Sequence, residues 1–341
     1  MPNRIALFLF TFLVCACHKA TDPHTILADP SLLDNSEAEK EYSFALAASN
    51  LLSEKDYDGL EKLAATDRAL ASPVASGTAP ISDFYDGIAG TPNNATEASF
   101  QQELSDLDAW TKARPDSVTA RIACANAQIS YAWFSRGSGW ANTVTDAEWA
   151  AFRSSLAEAS RLLLVDVDKR RAYPDWYSTI EMVGMGQSWP KFKFLKLSAE
   201  CASQYPTDAD PYTHAVIYLL PRWEGSNAEL ANFITTSADR VGGDEGDILY
   251  ARLAACVWTY SCDTDVFSQT GLLWARVKHG MGLICRRFPH SSYAMNCFCV
   301  FACQAHDHDA AHVLFDQLGD HFLDSTWPSR EEFEADRTWS R

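Results

Sequence analysis

The stretch SVTARIACANAQISYAWFSRGSGWANTVTDAEW, residues 117–149, decides the fold. Val118, Ile122, Ala125, Ile129 and Ala132 fall at spacings of 4, 3, 4 and 3, which is one face of a helix. Ser117 is placed to be its N-cap, and Asp116 lies near the positive end of its dipole. Ala123, Ala125, Ala127 and Ala132 are small, so a neighbouring helix can come close. Tyr131, Trp133 and Phe134 add bulk at one end. Arg136-Gly137-Ser138-Gly139 interrupts the pattern where a helix must stop. Thr145, followed three residues on by Glu148, has the form of a capping box for the next helix.

The same grammar of helix, short turn and helix fills most of the chain. Residues 37–71 read as an N-terminal helical hairpin. Tyr42, Ala45, Leu46, Ser49 and Leu52 mark its first apolar face, and Leu60, Leu63, Ala64 and Leu70 its second. Residues 72–96 are dominated by Gly, Pro, Ser and Asn, and are expected to be a loop with one apolar cluster at Phe84, Tyr85 and Ile88. Residues 97–113 form an amphipathic helix with Phe100, Leu104, Leu107 and Trp110 in register. Trp149, Phe152, Leu156, Ala159 and Leu163 mark another. Further helices are expected near 175–187, 190–205, 211–220, 225–241, 246–261, 268–287, 292–305 and 309–318. Period-two alternation with β-branched residues is almost absent, so strands are not expected. The fold class is therefore all-α, with helical hairpins stacked as an α-solenoid or a compact helical-repeat domain over residues 97–330 and a tail at 331–341.

Residues 1–16 are expected to be a signal segment. Arg4 is the positive n-region, and residues 5–14 are an apolar run too short to span a bilayer. Val14-Cys15-Ala16-Cys17 resembles the lipobox of bacterial lipoproteins, and that resemblance makes Cys17 the acylated first residue of the mature chain. Cys15 stands where the lipobox has a small residue; an ordinary secretory signal cut near Ala20 is the alternative. A polar linker follows over residues 17–36. The polar corner Glu54-Lys55-Asp56-Tyr57 resembles the turn of a tetratricopeptide repeat.

Charge and cysteine content narrow the function classes. The chain carries 28 Lys+Arg against 45 Asp+Glu, a net charge of −17. Such a surface argues against nucleic acid and against attraction to anionic lipid, so membrane attachment is expected through acyl chains alone. Cys124, Cys201 and Cys256 lie on apolar helical faces, where cysteine acts as a small hydrophobe. Cys262, Cys285, Cys297, Cys299 and Cys303 leave room for one or two bridges in the C-terminal third, whose pairing sequence cannot assign.

Several runs together carry a wider resemblance: residues 133–141 (WFSRGSGWA), Trp149 with Phe152, residues 218–225 (YLLPRWEG), residues 249–252 (LYAR), and the closing run from Phe288-Pro289 through Phe301-Ala302-Cys303 to Trp327. They resemble a bacterial family of exported or lipoprotein-like, tetratricopeptide-like helical proteins catalogued as a domain of unknown function. The resemblance spans about residues 100–330 and implies a fold class and no catalytic residue.

Candidate sites are few. His308 and His312 stand at i and i+4, a spacing that puts two imidazoles on one helical face as zinc requires, with Asp309 or His321 as further ligands. No glutamate follows His308 as in HExxH, and the competing reading of Asp307 to Asp309 is a polar turn capping the last helix. Metal is therefore not expected, and no cofactor is. Arg136-Gly137-Ser138-Gly139 lacks the GK[ST] of a phosphate loop. Arg136 is expected to pair with a carboxylate and order its corner. Arg136 with Trp140, and Arg222 with Trp223, are the candidate lining of a ligand or partner groove. Eleven tryptophans at helical spacing are first of all core, with some available to line a concave face.

The expectation is a non-enzymatic exported lipoprotein that acts as a protein–protein interaction scaffold in the bacterial cell envelope, with an unidentified protein partner. It is anchored by lipid on the periplasmic or outer side of a membrane, or is soluble in the periplasm or secreted. The alternative is an envelope glycan-binding protein or enzyme that uses a Trp-lined groove.

Overall fold

The computed structural model describes residues 36–341 apart from 73, 90–94, 166, 207 and 262–264. The signal segment, Cys17, nearly all of the linker 17–36, and Cys262 lie outside the described residues. Among the described residues every regular element is a helix. In chain order these are α1 (Ser36–Ser53), α2 (Tyr57–Ala69), α3 (Pro80–Ala89), α4 (Glu97–Ala113), α5 (Val118–Arg136) and α6 (Asp146–Leu164). Then follow α7 (Val167–Arg170), α8 (Pro174–Gly186), α9 (Lys191–Gln204), α10 (Asp210–Leu219), α11 (Asn227–Val241) and α12 (Gly243–Ser261). The chain closes with α13 (Val266–Thr270), α14 (Trp274–Arg287), α15 (Ser292–Gln304), α16 (His308–Leu318) and α17 (Arg330–Trp339). The all-α expectation holds.

The helices fall into two compact units. One is built from Lys40–Ala71 and Ala79–Ser203, the other from Ser72–Thr78 and Gln204–Arg341 together with residues 36–39. The boundary between the two units falls near residue 203, inside the stretch 97–330.

In the first unit α5 is the central helix, packed on α3, α4, α6 and α8. Ser117 caps it by accepting the Ala120 amide at 2.9 Å. Val118, Ile122, Ala125, Ile129 and Ala132 are all buried, as their spacing requires. Thr145 and Glu148 close the expected capping box at the start of α6: the Thr145 amide donates to Glu148 Oε2 at 2.7 Å, and the Glu148 amide to Thr145 Oγ1 at 3.3 Å.

Residues 72–96, expected to be a loop, contain α3, with Ile81, Phe84, Tyr85 and Ile88 buried. Their i, i+3, i+4, i+7 spacing supplies an apolar face that outweighs the glycine and proline around it.

In the second unit α12 packs on α10, α11 and α14, and α14, α15, α16 and α17 follow as successive packed neighbours. Gly280 lets α14 approach α12, because a Cβ there would stand 2.1 Å from the Asp247 carbonyl oxygen. The turn at Val74 to Gly77 is gripped by two side chains. Glu37 Oε1 accepts the Ala75 amide at 2.7 Å, and Arg252 Nε donates to the Ala75 carbonyl at 3.0 Å. Glu37 Oε2 also accepts from Ser291 Oγ at 2.5 Å.

Residues 331–341, expected to be a tail, are mostly helix α17. Ser329 accepts the Glu332 amide at 3.1 Å to start it. Phe333 holds it down with ring centroids 5.5 Å from Phe315 and 5.2 Å from Trp327. Burying one such ring contributes about 1.5–3 kcal/mol, enough to fix a short, mostly charged helix.

Candidate functional site

Arg136 closes α5, and its guanidinium lies over two rings, 5.6 Å from the Trp133 centroid and 5.2 Å from that of Trp149. Its Nη1 donates to the carbonyls of Gly137 at 3.1 Å and Gly139 at 3.2 Å. The expected carboxylate partner is thus replaced by aromatic faces and peptide oxygens. Burial lowers the Arg136 pKa somewhat. Arg136 is a strut that fixes the corner between α5 and α6. On that corner Trp140 is 60% exposed, and its carbonyl accepts from the Thr143 amide and hydroxyl, each at 2.8 Å. The backbone is tied down while the indole faces water, an arrangement that suits stacking against a sugar ring or an apolar side chain.

Arg222 and Trp223 belong to the second unit, in the turn after α10. Arg222 is exposed and Trp223 half-buried. The Trp223 amide donates to the Leu220 carbonyl at 2.8 Å. The two Arg/Trp pairs therefore belong to different units.

His308 and His312 begin α16. Asp307 caps that helix, with Oδ1 accepting the Ala310 amide at 3.1 Å. Its Oδ2 accepts from Lys278 Nζ at 2.7 Å and Trp274 Nε1 at 2.8 Å, and these bonds, the lysine's first, lower its pKa. The His308 ring packs edge-on against Trp339 at 5.3 Å, and His312 Nε2 lies 3.8 Å from Asp316 Oδ2. Among the described residues no group of three or more His, Cys, Asp or Glu side chains is arranged to hold a metal ion. Asp307 forms the polar turn that caps α16.

Cys124, Cys201, Cys256, Cys285, Cys297, Cys299 and Cys303 are free thiols. Burial pushes Cys124 and Cys285 up to about 11, and Cys256 and Cys297 up to about 12. Neutral thiols of this kind are poor nucleophiles and poor metal ligands.

Sequence reasoning missed a buried polar network in the first unit. Arg68 on α2 donates to Asp175 on α8, Nε to Oδ1 at 3.0 Å and Nη2 to Oδ2 at 2.8 Å. The same Nη2 reaches Tyr85 Oη at 2.8 Å and Thr119 Oγ1 at 3.0 Å, while Tyr85 donates to Asp175 at 2.6 Å. The guanidinium also lies 4.7 Å from the Tyr173 centroid. Burial opposes its charge, but the Tyr85 and Asp175 oxygens outweigh it and raise the Arg68 pKa. Burial, with the Asp175 charge adding to it, pushes Tyr85 well above 10. Every member is occupied by another, so the network ties α2, α3, α5 and α8 together instead of facing a ligand.

Beside it, Asp67 is 1% exposed and neither carboxylate oxygen has a hydrogen-bond partner. Burial pushes its pKa from 3.8 up to about 6, although the Arg68 charge works against this. The proton stabilises the folded state, fully so below about pH 4, and that contribution is lost as pH rises through 6. The shift corresponds to about 3 kcal/mol. Asp67→Asn should therefore remove a decline of roughly that size between pH 4 and 7.5. Parallel stability–pH profiles for the two proteins would contradict the assignment.

Residues 45–173 match the family model described as Domain of unknown function (DUF4034). No curated protein and no solved structure matches the chain. The matched segment contains Arg68, Tyr85, Thr119 and Tyr173 of the buried network and the whole Arg136–Trp140 corner; Asp175 lies two residues past its end. The runs at 218–225, 249–252 and 288–327 that suggested a wider resemblance fall outside the DUF4034 match, which instead extends into α1 and α2.

Proposed function

We propose that this chain is a non-enzymatic binding protein of the bacterial cell envelope that holds a protein partner, with export and lipid attachment through Cys17. The observation that carries the reading is the Trp140 corner: an exposed indole on a backbone fixed by Arg136, Trp133 and Trp149. The Arg68–Asp175 pair supports it too, because these two buried charges are spent on one another. Stacked helical hairpins offer faces suited to peptides and protein helices.

Trp140→Ala should leave the melting temperature unchanged and should abolish the crosslinked capture of a stoichiometric protein from the host envelope. Retention of the same partner by the variant would sink the reading. The second reading, glycan binding, is favoured by the same exposed indole. It predicts quenching of Trp140 fluorescence by soluble cell-wall saccharides, with no protein captured.

A further inference from the structure

Residues 182–199 contain no aspartate or glutamate, in a chain with 45 such residues among 341. They contain Lys191, Lys193 and Lys196. Lys191 and Lys193 fall in the first turn of α9, and that turn holds no acidic residue. Cations there oppose the helix dipole. Between them Phe192 is 78% exposed, whereas Phe194 is wholly buried. The corner that presents this group is well built. The Trp189 amide donates to the Gly184 carbonyl at 2.9 Å, its indole nitrogen donates to Gln187 Oε1 at 2.9 Å, and Lys193 Nζ lies 3.2 Å from its ring centroid.

We propose that this corner of the first unit docks on an anionic lipid surface. Phe192 enters the boundary between headgroups and acyl chains, and Lys191, Lys193 and Lys196 meet lipid phosphates. A ring that protrudes from a helix start needs a pocket in a protein partner, but a bilayer accepts it anywhere along its surface. The lysines supply the charge that an anionic leaflet selects. The net charge of −17 does not prevent this. Salt screens charges beyond about 8 Å, so the local lysines govern the final approach. The inference is independent of the partner-holding role, and it adds a second contact to membrane attachment expected through lipid alone.

The test is co-sedimentation of the full chain with vesicles of phosphatidylcholine alone or of equal parts phosphatidylcholine and phosphatidylglycerol. Binding to the anionic vesicles should be at least about tenfold stronger and should weaken with salt. Phe192→Ser should reduce it about tenfold. Lys191→Glu with Lys193→Glu and Lys196→Glu should erase the difference between the two vesicles. Phe192, Lys193 and Lys196 are exposed and Lys191 is half-buried, and an unchanged circular-dichroism melt checks that the variants fold. Any N-terminal anchor contributes equally to wild type and variants, so the differences report on the corner. Equal binding by wild type and variants overturns the proposal. So does loss of an acidic protein partner in the variants with vesicle binding unchanged, which would make the corner a protein-docking surface.

Discussion

Arg68→Met lowers the stability of the first unit by about 3–5 kcal/mol, because it leaves a buried carboxylate without its counter-charge. Asp175 would keep only the Tyr85 hydroxyl, at 2.6 Å, among the donors that now neutralise it. Tyr85 and Thr119 would each lose a charged partner as well. Adding Asp175→Leu to the same chain should recover more than half of the loss, since no uncompensated charge then remains and an apolar pair can replace a buried ion pair at little cost. Urea unfolding of the wild type, both single variants and the double variant completes the cycle. A loss below about 1 kcal/mol in Arg68→Met would show that solvent reaches Asp175 and that the network is not the strut described.

Gly280→Val should be as damaging to the second unit. The added Cβ would meet the Asp247 carbonyl oxygen at 2.1 Å and the Ala251 Cβ at 2.8 Å. A flexible side chain could swing aside, but this obstacle is the backbone of α12. Helix α14 must therefore move outward, taking Val277, Met281 and Ile284 partly out of the core. The expected cost is about 3 kcal/mol or more. Gly282→Val, two residues along on the same helix, is the control, because its nearest atom is the tip of Arg286 at 3.6 Å. Thermal melts of the two variants side by side test the close approach. Similar melting temperatures would falsify it.

The helices of the first unit were legible where spacing and caps agreed. Ser117, Thr145 and Glu148 act as their positions indicate because capping depends on residues three apart. Helix α3 was equally legible in its spacing, at Ile81, Phe84, Tyr85 and Ile88, but the composition of the surrounding stretch masked it. Helix α17 has a visible cap in Ser329 and Glu332, yet only Phe333 is buried along it, so periodicity carried almost no signal. The site residues divide on different grounds. The His308 corner could be judged locally, because Asp307 caps its own helix. The partner of Arg136 could not, since Trp149 comes from the next helix and displaces the expected carboxylate. Arg68 and Asp175 are 107 residues apart, and each alone reads as an ordinary charged residue on a helix. The membership of residues 72–78 in the second unit was illegible for the same reason, since their composition says only that they are not helical.

The grip on Ala75 sets an order of events during synthesis. Arg252 is made 177 residues after Ala75, and Ser291 is made 254 residues after Glu37. At ribosomal rates of about 5–20 residues per second, the turn at Val74 to Gly77 waits roughly 9 to 35 seconds for Arg252 to emerge, and Glu37 waits longer for Ser291. The first unit can close in that interval, because its last helix is complete at Gln204. The second cannot, whatever the speed of its own helices, since its earliest-made piece is seated only by its late ones. A fragment beginning at residue 204 would possess every helix from α10 onward and still lack the piece that Arg252 was shaped to hold.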